Sequence, residues 1–486
     1  MPMDEGRTDM ASNVTGRRLG VVIGTLVLLV VAMAGMAIRS DRVPESVDRG
    51  SEADASGDAL EAGEALEAGV LLPGADAAEL VTDADGAAGP DVRPEPAIEW
   101  ASPSEPSPVT PVPDSERVAR PAAVRGIYVG SWPAGNPQRL DRLIRLANET
   151  EINAFVIDVK DVTGEVSYAT GVPLAEQVGA TRNLRIDNIR AVLEKLKDNG
   201  IYPIARIVAF KDPLLADARP EWSIMDEDGE VWEDNKGVRW VDSFNPNVWA
   251  YNIELAREAI ALGFSEIQWD YIRFPDAPQS YMARAVYPAR EGRTRVEGIR
   301  AFMLESRDEL DPLGVPLTAD VFGITTSAYN DVGIGQLWEE MADVMDVLLP
   351  MVYPSHYPRG TWGYDMPNAA PYQIVLKAMG HGVRRSEDIE NAATIRPWLQ
   401  AFSMGEPEYG PEHIRAQIDA VYDAGLTEWI LWDPAVRYSA DPLATADGRE
   451  PWFAGRGAEL YERALEEAAR KERERERGVL GTPQGN

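Results

Sequence analysis

Cysteine does not occur anywhere in the 486 residues, so disulfide staples and thiolate chemistry are both excluded. Histidine occurs only as His356, His381 and His413, too few for a multi-histidine metal centre. That shortage disfavours a polysaccharide deacetylase or another metal hydrolase, and no cofactor is expected. Basic residues are scarce as well: 47 Lys and Arg stand against 80 Asp and Glu, a net charge of -33. A nucleic-acid backbone calls for clustered cations, so nucleic acid is excluded as a partner. No G-x-S-x-G run exists, so the neighbours Ser355 and His356 do not make a hydrolase triad. Asp226 and Asp228 with Gly229 superficially resemble a calcium loop, but the remaining ligands and the terminal glutamate are missing and a plain turn is expected.

Long apolar runs are rare, with one exception. Residues 20–38 are apolar and uncharged, follow Arg17 and Arg18, and are just long enough to span a bilayer. They read as an uncleaved membrane anchor, with Ala32-Met33-Ala34 leaving a cleaved signal peptide as the alternative. Either way residues 1–19 stay cytoplasmic and the rest is exported, membrane-anchored or secreted. Residues 39–120 are rich in Ala, Asp, Glu and Pro and read as a disordered acidic linker whose charges repel one another. Residues 121–470 look globular, and 471–486 form a charged tail.

Within the globular part, short β-rich runs alternate with helical patterns: 125–132, 154–161, 202–210, 266–274, 316–323, 346–353, 395–403 and 428–433. Strands alternating with helices predict a parallel sheet. Eight of them in about 350 residues fit a closed (β/α)8 TIM barrel. Ile186, Ile189, Val192, Leu193 and Leu196 recur at helical spacing before Asn199-Gly200. Asn245-Pro246 opens another helix that Gly263 closes, and Ile414, Ile418 and Val421 precede a stop at Gly425. A doubly wound open sheet is the runner-up, but no glycine-rich phosphate loop follows a strand.

The fourth strand carries the strongest chemical signal, because it ends in Trp269-Asp270-Tyr271-Ile272-Arg273-Phe274-Pro275. A carboxylate at the C-terminal end of a barrel strand faces the mouth where barrel enzymes keep their chemistry. Side chains alternate along a strand, so Gln268 and Asp270 share one face, and Thr318, Asp320 and Phe322 share a face of the next. Asp270 and Asp320 can therefore act as nucleophile and acid in glycosidic cleavage, or merely accept hydrogen bonds and pair with Arg273 or Arg206. Asp158 and Lys160 end the second strand on one face. Lys160 or Arg206 can hold an acid ionised, grip a sugar hydroxyl or form a structural ion pair. Sugar rings present both C–H faces and hydroxyl rims, and Trp132, Phe210, Tyr353 and Trp432 lie near strand ends where flat apolar surfaces are needed. His356 can donate to a hydroxyl or a carboxylate.

Five ordered motifs then carry a resemblance: 267–275, Thr318-Ala319-Asp320-Val321-Phe322-Gly323, Gly333-Ile334-Gly335-Gln336, Pro350-Met351-Val352-Tyr353-Pro354-Ser355-His356-Tyr357 and Arg396-Pro397-Trp398-Leu399-Gln400-Ala401-Phe402. From about residue 125 to about 438 the chain resembles the bacterial glycoside-hydrolase-like barrel family long catalogued as a domain of unknown function. The resemblance implies a TIM barrel related to α-amylase-like and α-galactosidase-like hydrolases. It also implies that Asp270 is the nucleophile. α-Amylase-like enzymes place a Glu at the end of the fifth strand, where this chain has Asp320. α-Galactosidase-like enzymes take an Asp from the sixth, where this chain has Tyr353 and His356, so Asp320 is the better acid candidate. The expectation is a retaining glycoside hydrolase acting on a cell-envelope or external polysaccharide, bound through Trp132, Asp158, Lys160, Arg206, Gln268, Arg273, Tyr353, His356 and Trp432. The alternative is a catalytically inactive, glycan-binding barrel with a structural role at the envelope.

Overall fold

A computed structural model of the protein describes residues 112–480. The 20–38 anchor and the linker up to residue 111 lie outside the described residues, and among those described no helix is long and apolar enough to cross a membrane. Nine strands form one sheet: β1 (Arg125–Tyr128), β2 (Ala154–Lys160), β3 (Tyr202–Val208), β4 (Glu266–Asp270), β5 (Leu317–Phe322), β6 (Val347–Val352), β7 (Thr394–Ile395), β8 (Trp398–Gln400) and β9 (Trp429–Trp432). All pairings are parallel. β5 pairs with β6 and β9 returns to β1, which closes the sheet and rules out the open doubly wound alternative. β7 and β8 both pair with β6 and are one stave interrupted at Arg396-Pro397, where proline has no N–H to give the ladder. The result is a parallel eight-stave barrel. Its strands are buried on both faces, as in β2 and β3, where every residue is buried.

Eight helices follow the staves: α1 (Pro137–Glu149), α2 (Ile189–Asp198), α3 (Pro246–Leu262), α4 (Arg295–Leu310), α5 (Trp338–Ala342), α6 (Pro371–Ser386), α7 (Pro411–Asp423) and α8 (Gly457–Leu480). Their ends follow local chemistry. Asn136, Asn188 and Asn245 accept backbone N–H groups at the starts of α1, α2 and α3, and Thr294 with Glu297 makes a capping box on α4. Gly263 ends α3 at φ 119°, a left-handed value that a side chain would strain. The expected 471–486 tail continues α8 as far as Leu480.

Several expected strands stop early for backbone reasons. β1 ends at Tyr128 because Gly130 takes φ 65° and Ser131–Gly135 coils into a short helix. β4 ends at Asp270 because Tyr271 takes φ 51°. The end of the expected linker is also not free chain: the Val112 N–H donates to the Ala261 carbonyl at 2.9 Å, and Arg117 reaches the Leu313 carbonyl at 2.8 Å.

Arg120 completes a charge network at the lower, N-terminal end of the barrel. Its guanidinium lies 2.7 Å from Glu428, while Arg396, fully buried, donates to Glu428 at 2.9 Å and to Glu266 at 2.6 Å. Buried charges persist only when paired, and removing one partner strands the others. Arg396→Ala should therefore cost about 3–5 kcal/mol in urea denaturation. The uncharged triple Arg396→Met, Glu266→Gln, Glu428→Gln should lose markedly less, and an equal loss in both would show that volume rather than charge is at issue.

Candidate active site

The upper end of the barrel is organised by Arg206. In the strand register Asp158 lies opposite Arg206, Arg206 opposite Gln268, and Gln268 opposite Thr318, so one ring of inward positions crosses four strands. Arg206 donates through Nη1 to Asp158 Oδ1 at 2.7 Å and through Nε to Asp270 Oδ2 at 2.9 Å, with Nη2 2.7 Å from the same oxygen. Its guanidinium lies 5.7 and 5.4 Å from the rings of Tyr128 and Trp432, which pack on each other with centroids 4.1 Å apart. The Tyr128 hydroxyl donates to Asp158 Oδ2 at 2.6 Å, and burial nevertheless raises the Asp158 carboxyl above its ordinary value against the pull of Arg206.

Asp270 lines a tight pocket of about 20 Å³, room for about one water, together with Arg206, Arg273, Tyr353, Trp398 and Trp432. The left-handed turn at Tyr271 brings its own N–H to 2.6 Å from Asp270 Oδ1, so the strained residue helps fix the carboxylate. Arg273 projects over the pocket with its guanidinium 4.7 Å from the Tyr271 ring, 5.2 Å from Trp240 and 4.6 Å from Phe322. The Trp432 indole N–H, although buried, has no acceptor among the described residues.

Asp320 is on the strand next to Asp270 but does not line the pocket. It lies beneath, almost wholly buried, with Gln268 Nε2 2.9–3.0 Å from both carboxylate oxygens and Trp398 Nε1 2.7 Å from Oδ1. Burial first, and then the charge of Asp270, push its carboxyl well above the usual range. Tyr353 lines the pocket, and its hydroxyl is raised by burial and by the charges of Asp320 and Asp270, so it remains a proton donor.

Of the residues expected from sequence, Asp158, Arg206, Gln268, Asp270, Asp320, Arg273, Tyr353 and Trp432 meet in or directly beneath this pocket. Three do not. Lys160 is turned away by a bulge: the register passes from Asp158 opposite Arg206 to Lys160 opposite Ile207, which skips Val159 and moves the lysine to the outer face. There its Nζ meets Asp212 at 2.6 Å and lies over the Tyr251 ring of α3. Trp132 belongs to the short helix after β1 and packs against Arg185. His356 contacts Ser355 Oγ at 2.9 Å and sets its ring against Tyr353 and Phe402, behind the pocket wall. Gln268 acts on Asp320 rather than on the cavity. Asp226 accepts the N–H groups of Asp228 and Glu230 in a plain turn.

Sequence reasoning missed Tyr128, Met351 and Trp398. Trp398 stands two residues beyond the inward Arg396, so strand alternation from that arginine would have found it. The glycines of the resemblance motifs are explained by contact: a Cβ on Gly323 would come within 2.4 Å of the Met351 carbonyl, and one on Gly335 within 2.9 Å of the Arg295 carbonyl. Gln336, beside Gly335, ties the Phe322 N–H to the Asp320 carbonyl and so holds the end of β5.

A closed (β/α)8 barrel with a carboxylate, two arginines and aromatic rings at its C-terminal mouth is the architecture on which enzymes of many chemistries are built. This chain belongs to the family described as "Putative glycosyl hydrolase domain", which matches residues 126–438. Among solved structures it is similar to a hypothetical protein from Ruminiclostridium thermocellum, 39% identical over 40% of this chain and 97% of that one, with a TM-score of 0.37. The PgaB (BpsB) glycoside hydrolase domain from Bordetella bronchiseptica is 14% identical over 66% of this chain and 99% of its own, with a TM-score of 0.47. The glycoside hydrolase domain of PelA from Pseudomonas aeruginosa is 14% identical over 66% and 97%, with a TM-score of 0.37. No curated protein matches the chain. The fold assignment rests on the strand pairing rather than on these likenesses.

Arg206→Gln removes the cation between two buried carboxylates. Asp158, whose carboxyl burial already raises, then favours protonation more strongly in the folded state, and that preference stabilises at low pH and is lost as pH rises. The variant should lose about 3–5 kcal/mol at pH 8 and clearly less at pH 5 in urea denaturation. An equal loss at both values would remove the electrostatic account.

Proposed function

We propose that the protein is a retaining glycoside hydrolase of a cell-envelope or external polysaccharide, exported and held at the membrane by residues 20–38. The observation that carries the reaction is the placement of Asp270, on the pocket wall with Arg206 against one oxygen and the Tyr271 N–H against the other. Asp270 attacks the anomeric carbon as the glycosidic oxygen departs with a proton. Water, giving its proton back to the group that protonated the leaving oxygen, then attacks from the face that oxygen vacated, opposite the ester, and this second inversion returns the original anomer. Arg206 fixes the carboxylate's direction, while Arg273 and the Trp432 N–H offer donors to sugar hydroxyls.

The departing proton originates on Asp320, whose carboxyl burial pushes well above its ordinary value. Asp320 lies below the pocket and hydrogen-bonds Gln268 and Trp398 rather than Tyr353, so a relay through Tyr353, which lines the cavity, requires the two groups to close on each other when substrate binds. Catalytic contacts of this kind commonly tighten only when substrate is bound.

Asp270→Asn should lower turnover of a released-sugar assay by on the order of a thousandfold or more. Asp320→Asn and Tyr353→Phe should each lose about 10²–10⁴-fold on alkyl glycosides and far less on nitrophenyl glycosides, whose leaving groups need little protonation. The proton donor must be protonated to work, so wild-type activity should fall as pH rises through the raised Asp320 value, and Asp320→Asn should flatten that limb. An inverted anomer appearing first in a proton NMR time course would defeat the retaining assignment. Protease added to intact spheroplasts should remove the barrel if it is exported.

A second reading is favoured by one observation: both Asp320 oxygens are already occupied by N–H donors. Under it, the barrel binds glycan without cleaving it and Asp320 only positions Trp398. Saccharide binding by wild type and by Asp270→Asn alike, with no turnover in either, would select this reading.

A further inference from the structure

A second cavity lies outside the barrel wall, where the last helix does not follow the expected path. Each strand of a (β/α)8 barrel is normally covered by the helix that follows it. Here the chain leaves β9 irregularly and begins α8 only at Gly457, with α8 packed on α6 and α7. Gly457 itself lies against Ala416 and Tyr372, which belong to those two helices. The outer face of β9 between α1 and α7 is left with a groove of about 470 Å³. Leu431 forms its floor, and Leu143 and Leu146 of α1 face Ile414 of α7 across it.

The rim of this apolar slot is cationic. Arg139 and Arg142 of α1 and Arg437 of the loop after β9 line it, and no Asp or Glu does. Arg142 and Arg437 are exposed and form no ion pair among the described residues. Two acids of that loop flank Arg437: Asp433 is buried and accepts the backbone N–H groups of Ala435 and Arg437, while Asp441 is exposed between the lining residues Ser439 and Pro442 but does not itself line the groove. At physiological salt, charges are screened beyond about 8 Å, so these guanidiniums rather than the net charge of the chain set the local field.

Size decides the kind of occupant. One turn of helix with its side chains fills roughly 400–600 Å³, so the groove cannot seat a helix of useful length. Small-molecule sites span about 300–1,000 Å³, which it satisfies. The groove shares a strand wall with the pocket: Tyr438, which lines the groove, donates its hydroxyl to the carbonyl of Tyr128 on the neighbouring β1 at 2.9 Å. Trp432, next to Leu431 on β9, faces that pocket.

We propose that this groove is an accessory saccharide site that takes a carboxylate-bearing, uronic-acid ring of the polymer entering the barrel mouth. Arg142 and Arg437 grip the carboxylate, and the leucines and Tyr438 cover the C–H face of the ring. This rests on the glycoside hydrolase reading for the identity of the ligand as a saccharide, but not for the binding itself.

The test is calorimetric titration of the full chain carrying Asp270→Asn, with trigalacturonate and cellotriose as probes. Trigalacturonate should bind at least about tenfold more tightly, and added salt should erode the preference. Adding Arg142→Gln and Arg437→Gln together should weaken trigalacturonate about tenfold or more. Arg145→Gln, exposed on α1 but outside the groove, should not. Equal affinity for the two probes, or a double variant that binds trigalacturonate unchanged, overturns the proposal. Turnover of a polysaccharide without any uronate preference would sink the groove and leave the hydrolase standing. Arginine-dependent uronate binding with no turnover of any polymer would do the reverse.

Discussion

The constraint on which the rest of the site depends is the burial of the Arg206 guanidinium between Asp158 and Asp270. A cation in this position is unfavourable unless its donors are met, and here three of them reach carboxylate oxygens from two different strands. To meet that geometry β2, β3 and β4 must keep one register and one height. A slip of a single residue would exchange inner and outer faces and leave three charges facing hydrocarbon. The same contact that organises the barrel mouth therefore also directs Asp270 toward the cavity.

The two ends of the barrel use charge differently. At the lower end Arg396 and Arg120 are matched by Glu266 and Glu428, and the network is closed on itself. At the upper end pairing is incomplete: Arg273 is held by aromatic rings rather than by an acid, and the Trp432 N–H has no described acceptor. Donors left open beside a carboxylate are a cost to folding that a bound polar ligand can offset. This asymmetry agrees with stability being built at one end of the barrel and chemistry at the other.

Asp320 shows why a carboxylate on the right strand is not yet a catalytic group. Burial, and then the charge of Asp270, raise its affinity for a proton, which an acid needs, but Gln268 and Trp398 cover it, which an acid in direct contact with substrate would not allow. Under the proposed mechanism any proton it gives passes through a group that reaches the cavity, the role assigned to Tyr353. The displaced course of α8 has a comparable effect outside the wall, where a departure from the usual helix ring leaves an arginine-rimmed slot close to the mouth.

The alternation of apolar strands with amphipathic helices, the asparagine and glycine stops and the acid at the end of β4 were legible in the chain because each depends on residues a few positions apart. Eight staves, their approximate places and the inward set Asp158, Arg206, Gln268, Asp270 and Asp320 follow from that local information. What only the folded chain decided depends on partners distant in sequence or on backbone irregularity. The bulge at Val159 carries Lys160 to the outer face, against the alternation that paired it with Asp158. The left-handed turn at Tyr271 shortens β4, and Trp398, 78 residues further along the chain, covers Asp320. Alternation assigns a side chain to a face, but its depth in the barrel and its access to the cavity are set by the shear between strands and by what packs above it.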